Sequence, residues 1–223
     1  MSHHTALQDL LQTRHSCRAF KPDHVPQQVI AQILLDAGRA PSWCNAQPWK
    51  VIVTSGAQTE SFRTAMAAAF DTGLPSPDYP FPNTYTGAHQ QRRRTCGFQL
   101  YESVGIGRGE RDRRAQQMRE NYTFFGAPHV ALITCPKELG PYGVLDCGGF
   151  ITAFCLSAKA QGIGTVPQAA LSLFSDVVRG HFDIPEDRNV LAAISFGHSD
   201  DSAPINRFRT ERANLEEFVE WKG

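Results

Sequence analysis

Apolar positions recur along this chain in two rhythms, one close to 3.6 residues and one close to two. Leu7, Leu10 and Leu11 share a helical face, and Thr5 with Gln8 three positions later has the form of a capping box. The spacing predicts a first helix that runs into "TRHSCRAF". Pro26 suits the first turn of a second helix, whose stripe is Val29, Ile30, Ile33, Leu34 and Ala37, with Gly38 and Pro41 stopping it. "KVIVT" then reads as a strand, and residues 58–70 as a helix.

Further along, "HVALIT" and "VLAAISFG" read as strands, and residues 112–124 and 173–182 as helices. "LDCGGFITAFCLSAKAQGIG" is apolar almost all round and is closed by Gly162, the pattern of a helix in the middle of a fold or at a dimer interface. A last helix is predicted over 214–221. Between 71 and about 111 the texture changes: Pro75, Pro77, Pro80 and Pro82 break the chain, glycines recur in "GIGRGE", and no second core pattern accompanies them. This segment reads as an irregular, lid-like insertion. The whole, residues 1–223, reads as one α+β domain with a small central sheet surrounded by helices.

Composition narrows the function classes. Lysine plus arginine and aspartate plus glutamate number 22 each, so the chain is formally neutral and has no general attraction for nucleic acid or an acidic membrane surface. Arg92, Arg93 and Arg94 read as a solvated face. The N-terminus lacks the apolar core of a signal peptide, and no apolar run reads as long enough to span a bilayer. Six cysteines with no CxxC pair argue against a structural zinc site and against a disulfide framework, so reduced thiols in a cytoplasmic protein are expected.

Four short stretches carry candidate chemistry. "TRHSCRAF" brings Arg14, Ser16 and Arg18 together, suited to phosphate oxygens or equally to a helix terminus balancing its dipole. "APSWCNAQPW" sets Ser42 and Asn45 among prolines and tryptophans, a loop suited to a flat polar ring. "GIGTVPQAAL" reads as a tight turn whose backbone N–H groups can meet a ligand, or as an ordinary connection between helices. "INRFRTER" offers Arg207, Arg209 and Arg212 to an anion, or to solvent. Cys44 is a weak candidate nucleophile, since nothing marks which of the eight histidines would serve as its base. No GxGxxG, Walker loop, HExxH or GxSxG occurs in a fitting context.

In this order, the four stretches resemble the nitroreductase family of flavoenzymes. "RHSCRAF" is similar to the family's entry to its flavin site, and "APSWCNAQPWKVIV" to its Ala-Pro-Ser-x-x-Asn-x-Gln-Pro-Trp loop. The resemblance implies bound FMN, NAD(P)H as electron donor, and an intertwined homodimer with the flavin between subunits. It implies that Arg14, His15, Ser16 and Arg18 hold the phosphate end, with Arg209 and its neighbours Arg207 and Arg212. Pro41, Ser42, Cys44 and Asn45 would line the ring, and Pro167 with the backbone of Gln168 and Ala169 would approach N5. The flavin carries the redox chemistry, so no side chain is required as acid or base.

A small aromatic acceptor is then expected to meet Trp43, Tyr122, Phe124 and Phe125, with the competing reading that the last three are core residues at a helix end, held equally for Phe125. The reaction implied is two-electron, ping-pong reduction of a nitroaromatic compound through N5. Quinone or enone reduction, reductive dehalogenation and flavin destruction with oxygen are alternatives within flavin chemistry. A non-catalytic flavin-binding protein and a Cys44 hydrolase are alternatives outside it.

Overall fold

A computed structural model describes residues 2–223. The first helix, α1 (His3–Thr13), is capped by Ser2, whose Oγ accepts the Thr5 N–H at 3.1 Å. It therefore begins earlier than the capping-box reading places it. It also ends before the arginines, because Arg14 turns to φ −64°, ψ 129°. Helix α2 (Gln27–Ala37) follows Pro26 as expected and buries Ile30, Ile33 and Ala37.

Strand β1 (Lys50–Thr54) leads into α3 (Ala57–Thr72), α4 (Gly87–Ser103) and α5 (Arg111–Arg119). Then come β2 (His129–Pro136), α6 (Gly140–Ala160), β3 (Gly164–Gln168), α7 (Ser175–Phe182) and β4 (Arg188–Gly197). The sheet is antiparallel throughout, in the order β1-β2-β4-β3. The α+β class and the small sheet among helices are as the sequence predicts.

Period-two alternation along β2 splits the interior into two cores, one on each face of the sheet. Ala131, Ile133 and Cys135 face Ile33, Phe150 and Phe154, contributed by α2 and α6. Val130 and Leu132 face Phe62, Phe124 and Phe174 on the other side. Because both faces of β2 and β4 are covered, their sequences run nearly continuously apolar.

Four expectations fail, each for a physical reason. "GIGTVPQ" is not a turn but contains the edge strand β3; only an edge strand tolerates Pro167, which has no N–H to donate. The segment 71–111 is irregular only in part, because α4 occupies residues Gly87–Ser103 within it. Its proline-rich part is strapped down: Asp78 accepts the Val190 N–H at 2.6 Å and pairs with Arg179 at 2.9 Å. No helix forms over 214–221, where a single 3-10 turn (Leu215–Glu217) stands; Phe218 and Trp221 are exposed, and an unpacked short helix is marginal.

The fourth concerns α6. The stretch Lys137–Ala160 is long and apolar enough to cross a bilayer by length and composition, contrary to the sequence reading. Its packed face explains part of that character, since Cys147, Phe150, Phe154, Cys155 and Ala158 are buried in the fold. The opposite face, with Tyr142 and Leu145, lies open in a single chain.

Candidate functional site

After α1 the chain runs extended past the start of β3, with Ser16 bridged to Thr165 and the Cys17 N–H donated to the Thr165 carbonyl at 2.9 Å. Cys17 is buried, while Ser16 and Arg18 line a cleft. The opposite wall is the segment Phe208–Arg212, which follows β4 and a 3-10 turn at Pro204–Asn206. The cleft has a volume of about 340 Å³ and holds Arg14, His15, Ser16, Arg18, Arg209 and Arg212.

One side chain joins the two walls. Asn206 is buried, its Oδ1 accepts the Arg18 N–H at 2.7 Å, and its Nδ2 donates to the Ala19 and Asp200 carbonyls at 2.9 Å each. Sequence reasoning missed it. Nothing in "INRFRTER" distinguishes an asparagine that staples from one that faces water. Cys96 of α4, Phe208 and Thr210 also line the cleft without having been foreseen.

The electrostatics are one-sided. None of Arg14, Arg18, Arg209 and Arg212 is ion-paired with a carboxylate among the described residues. Arg18 lies 5.7 Å from the Phe208 ring centre, and burial pushes its pKa down. His15 donates from Nδ1 toward the Thr13 carbonyl at 3.2 Å, which leaves Nε2 buried with no partner. Burial lowers the His15 pKa, and the positive charges of Arg209 and Lys159 lower it further. Desolvated positive charge with no counter-ion is costly, and the cost is relieved by an anion in the cleft. The residues present therefore fit a phosphate group.

Arg207 is not part of this cleft; its Nη2 donates to the Ser202 carbonyl at 2.7 Å. The loop Pro41–Asn45 does not line it either. That loop is fixed from within: Ser42 Oγ accepts the Gln47 N–H at 3.0 Å, and the Trp43 N–H reaches Asp146 of α6 at 3.1 Å. Cys44, Asn45 and Gln47 hold φ of 49°, 57° and 47°, a left-handed region costly for residues other than glycine. Trp43 is 67% exposed and leans on Tyr142 of α6 at 5.6 Å. Cys44 is exposed and makes no hydrogen bond to a histidine, so the hydrolase reading gains nothing.

At the far end of β3, Gln168 is buried with both ends of its amide used, Nε2 on the Asn121 carbonyl at 2.8 Å and Oε1 accepting from Ser195 Oγ. Its side chain is therefore committed to the fold, and its backbone is paired with Ala193 of β4; Pro167 beside it is exposed.

The aromatic trio expected to touch the acceptor lies in the core instead. Tyr122 stacks on Phe70 at 4.6 Å, Phe124 packs on Phe62 at 5.0 Å with 0% exposure, and Phe125 is buried beside it. The turn holding them has positive φ at Phe124 and Phe125 and is clamped by Arg63, which donates to the Ala127 carbonyl at 2.8 Å. Tyr122 and Phe124 build the second core, and all three rings are buried. Their position directly before the apolar strand β2 was the signal that could have said so.

Comparison with known proteins agrees with this architecture. Residues 11–198 match the model of the nitroreductase family. The nitroreductase NfnB of Mycolicibacterium smegmatis is 37% identical over 95% of this chain and 91% of its own. The nitrobenzene nitroreductase of Ectopseudomonas oleovorans is 32% identical over 96% of this chain and 95% of its own. The crystal structure of FMN-dependent NfnB from Mycobacterium smegmatis in complex with NADPH superposes with a TM-score of 0.95 at 35% identity, covering all of both chains. The chain belongs to the nitroreductase family.

Proposed function

We propose that the protein is an FMN-dependent NAD(P)H oxidoreductase that reduces nitroaromatic compounds. The observation that carries the reading is the cleft in which four guanidiniums and the partnerless His15 Nε2 meet without a paired carboxylate. Arg14, His15, Ser16, Arg18, Arg209 and Arg212 would hold the phosphate. Strand β3 then leads from Thr165, beside the cleft, to Ala169, roughly 13 Å at about 3.3 Å per residue, enough to separate a phosphate from a ring. The backbone at Pro167, Gln168 and Ala169 would meet the ring edge there.

When bound, FMN would supply the hydride and electron transfer between NAD(P)H and the acceptor. The chain's own part is binding, orientation and exclusion of water. A second copy of the chain would bring its loop Pro41–Asn45 over the ring, and its Trp43 would offer a flat apolar wall to an aromatic acceptor. This homodimer accounts for the exposure of Trp43, Tyr142 and Leu145, an apolar surface that a lone soluble chain rarely leaves uncovered.

The test is direct. The purified protein should be yellow, bleach anaerobically on addition of NADPH or NADH, and recover its colour on addition of a nitroaromatic compound. A colourless preparation that takes up no FMN would sink the reading, and a yellow one that no reduced nicotinamide bleaches would leave only a flavin-binding protein.

A further inference from the structure

Helices α4 and α5 and the turn between them carry eight arginines against three carboxylates over residues 87–119, in a chain that is neutral overall. Arg92, Arg113 and Arg119 are paired with Glu217, Glu110 and Asp71. The others are not. Neither α4 nor α5 buries a single residue; in the turn between them only Ile106 is buried.

Between the two helices lies a cavity of about 560 Å³, distinct from the phosphate cleft and lined by Phe98, Tyr101, Ile106, Arg108 and Arg114. Arg108 lies 4.8 Å from the Phe98 ring centre, and Arg114 lies 5.0 Å from that of Tyr101. Stacking on a ring fixes a guanidinium plane while leaving its in-plane N–H donors available. Neither group makes a side-chain hydrogen bond or ion pair among the described residues, and Arg114 Nε is shielded from solvent with no partner. Glu110 also lines the cavity, but Arg113 at 2.6 Å and the Gly107 N–H already occupy its oxygens. Glu102 lines it too, which disfavours a ligand with negative charge on every side.

We propose that this cavity binds a planar aromatic ring bearing an anionic group at one end, the ring against Phe98 and Tyr101 and the anion on Arg114 and Arg108. The volume is in the range of small-molecule sites, and the positive field of the lobe draws anions toward it. Two sources share this chemistry: a small aromatic carboxylate, and the phosphorylated adenosine end of a dinucleotide.

The experiment is calorimetric titration of the full-length protein with benzoate and, separately, with adenosine 2′,5′-bisphosphate; benzyl alcohol serves as the uncharged control. At least one anion should bind saturably, and benzyl alcohol at least tenfold more weakly. Arg114→Ala should lower the affinity tenfold or more, and so should Arg108→Ala, which lies in the turn after Gly107 and spares the helices. Cofactor content and thermal melting should be unchanged in the Arg108 variant. The arm that responds identifies the source. If neither anion binds, or if binding survives in both lobe variants, the proposal is wrong. Binding that instead falls in Arg209→Ala belongs to the phosphate cleft and overturns the assignment equally.

Discussion

Asn206 accepts the backbone N–H of Arg18 at 2.7 Å, and through that contact the two walls of the cleft, 188 residues apart in sequence, are held in register. Replacing Asn206 by alanine leaves the part-buried Arg18 N–H without its partner, while the Ala19 and Asp200 carbonyls keep the N–H groups of Asp200 and Ala203. A lost buried partner costs about 1–3 kcal/mol, so Asn206→Ala should unfold at lower denaturant and bind FMN more weakly. Chemical denaturation and flavin titration measure the two effects; a variant with both unchanged would remove Asn206 from the role of staple.

Arg14→Ala and Arg209→Ala should each weaken FMN binding tenfold or more. A hydrogen bond to a charged group is worth about 1.5–3 kcal/mol, and the guanidiniums that remain in the cleft are fixed at other positions and do not restore that contact. Fluorescence of released flavin reads the affinity. Full flavin content and wild-type affinity in both variants would show that the phosphate sits elsewhere.

Phe124→Ala is expected to act on stability rather than on acceptor choice. The ring is fully buried against Phe62 and beneath Arg63, at 5.2 Å from its centre. Truncating such a phenylalanine typically costs about 3–5 kcal/mol. Thermal melting should fall by many degrees while the ranking of nitro compounds by kcat/KM stays the same. A changed ranking in a stable variant would return Phe124 to the acceptor site.

Stability should depend on two histidines with a definite sign. Burial holds His15 and His129 below their ordinary pKa of 6.5. His129 has a structural reason to stay neutral, because its Nε2 accepts the Val25 N–H at 3.0 Å while its Nδ1 donates to the Thr54 carbonyl at 3.1 Å. The unfolded chain therefore takes up protons before the fold does. Stability is complete above pH 6.5 and declines as pH falls through 6.5 toward the lowered folded-state values. Melting of the flavin-free protein at about pH 7.5 and about pH 5.5 should show the loss, and His129→Gln should flatten it. A melting temperature that rises on acidification would contradict this account.

Leu145 is 70% exposed on α6, on the face that a second copy of the chain would cover. Leu145→Arg should give a smaller species in light scattering that holds little flavin, while circular dichroism still shows the helices and sheet. A flavin-loaded monomer, from either the variant or the natural chain, would refute the shared site.

Much of this was legible in the order of residues. "KVIVT" and "VLAAISFG" became strands where they were expected, because β-branched and apolar runs bounded by turn residues admit few other structures. The stripe Val29 to Ala37 became α2 for a similar reason. Strand β3 was hidden by Pro167 and two glycines, which signal a turn unless the strand is known to lie at an edge. Helix α4 was hidden because it buries nothing and so has no stripe to read. Four of the cleft's side chains could be named from "TRHSCRAF", since chemistry for an anion is written in residue type. Asn206 and the burial of Phe124 could not be, since both depend on what another part of the chain brings alongside.

The pairing of Arg18 with Asn206 also sets a timetable for the growing chain. At roughly 5–20 residues per second, the ribosome needs about 10–40 s to add the 188 positions between them. The sheet and both cores can close before the last arginines emerge, but the phosphate cleft cannot exist until they do. A chain cut short after β4 would keep its fold-forming sequence but lack Phe208, Arg209 and Arg212, the second wall of the cleft.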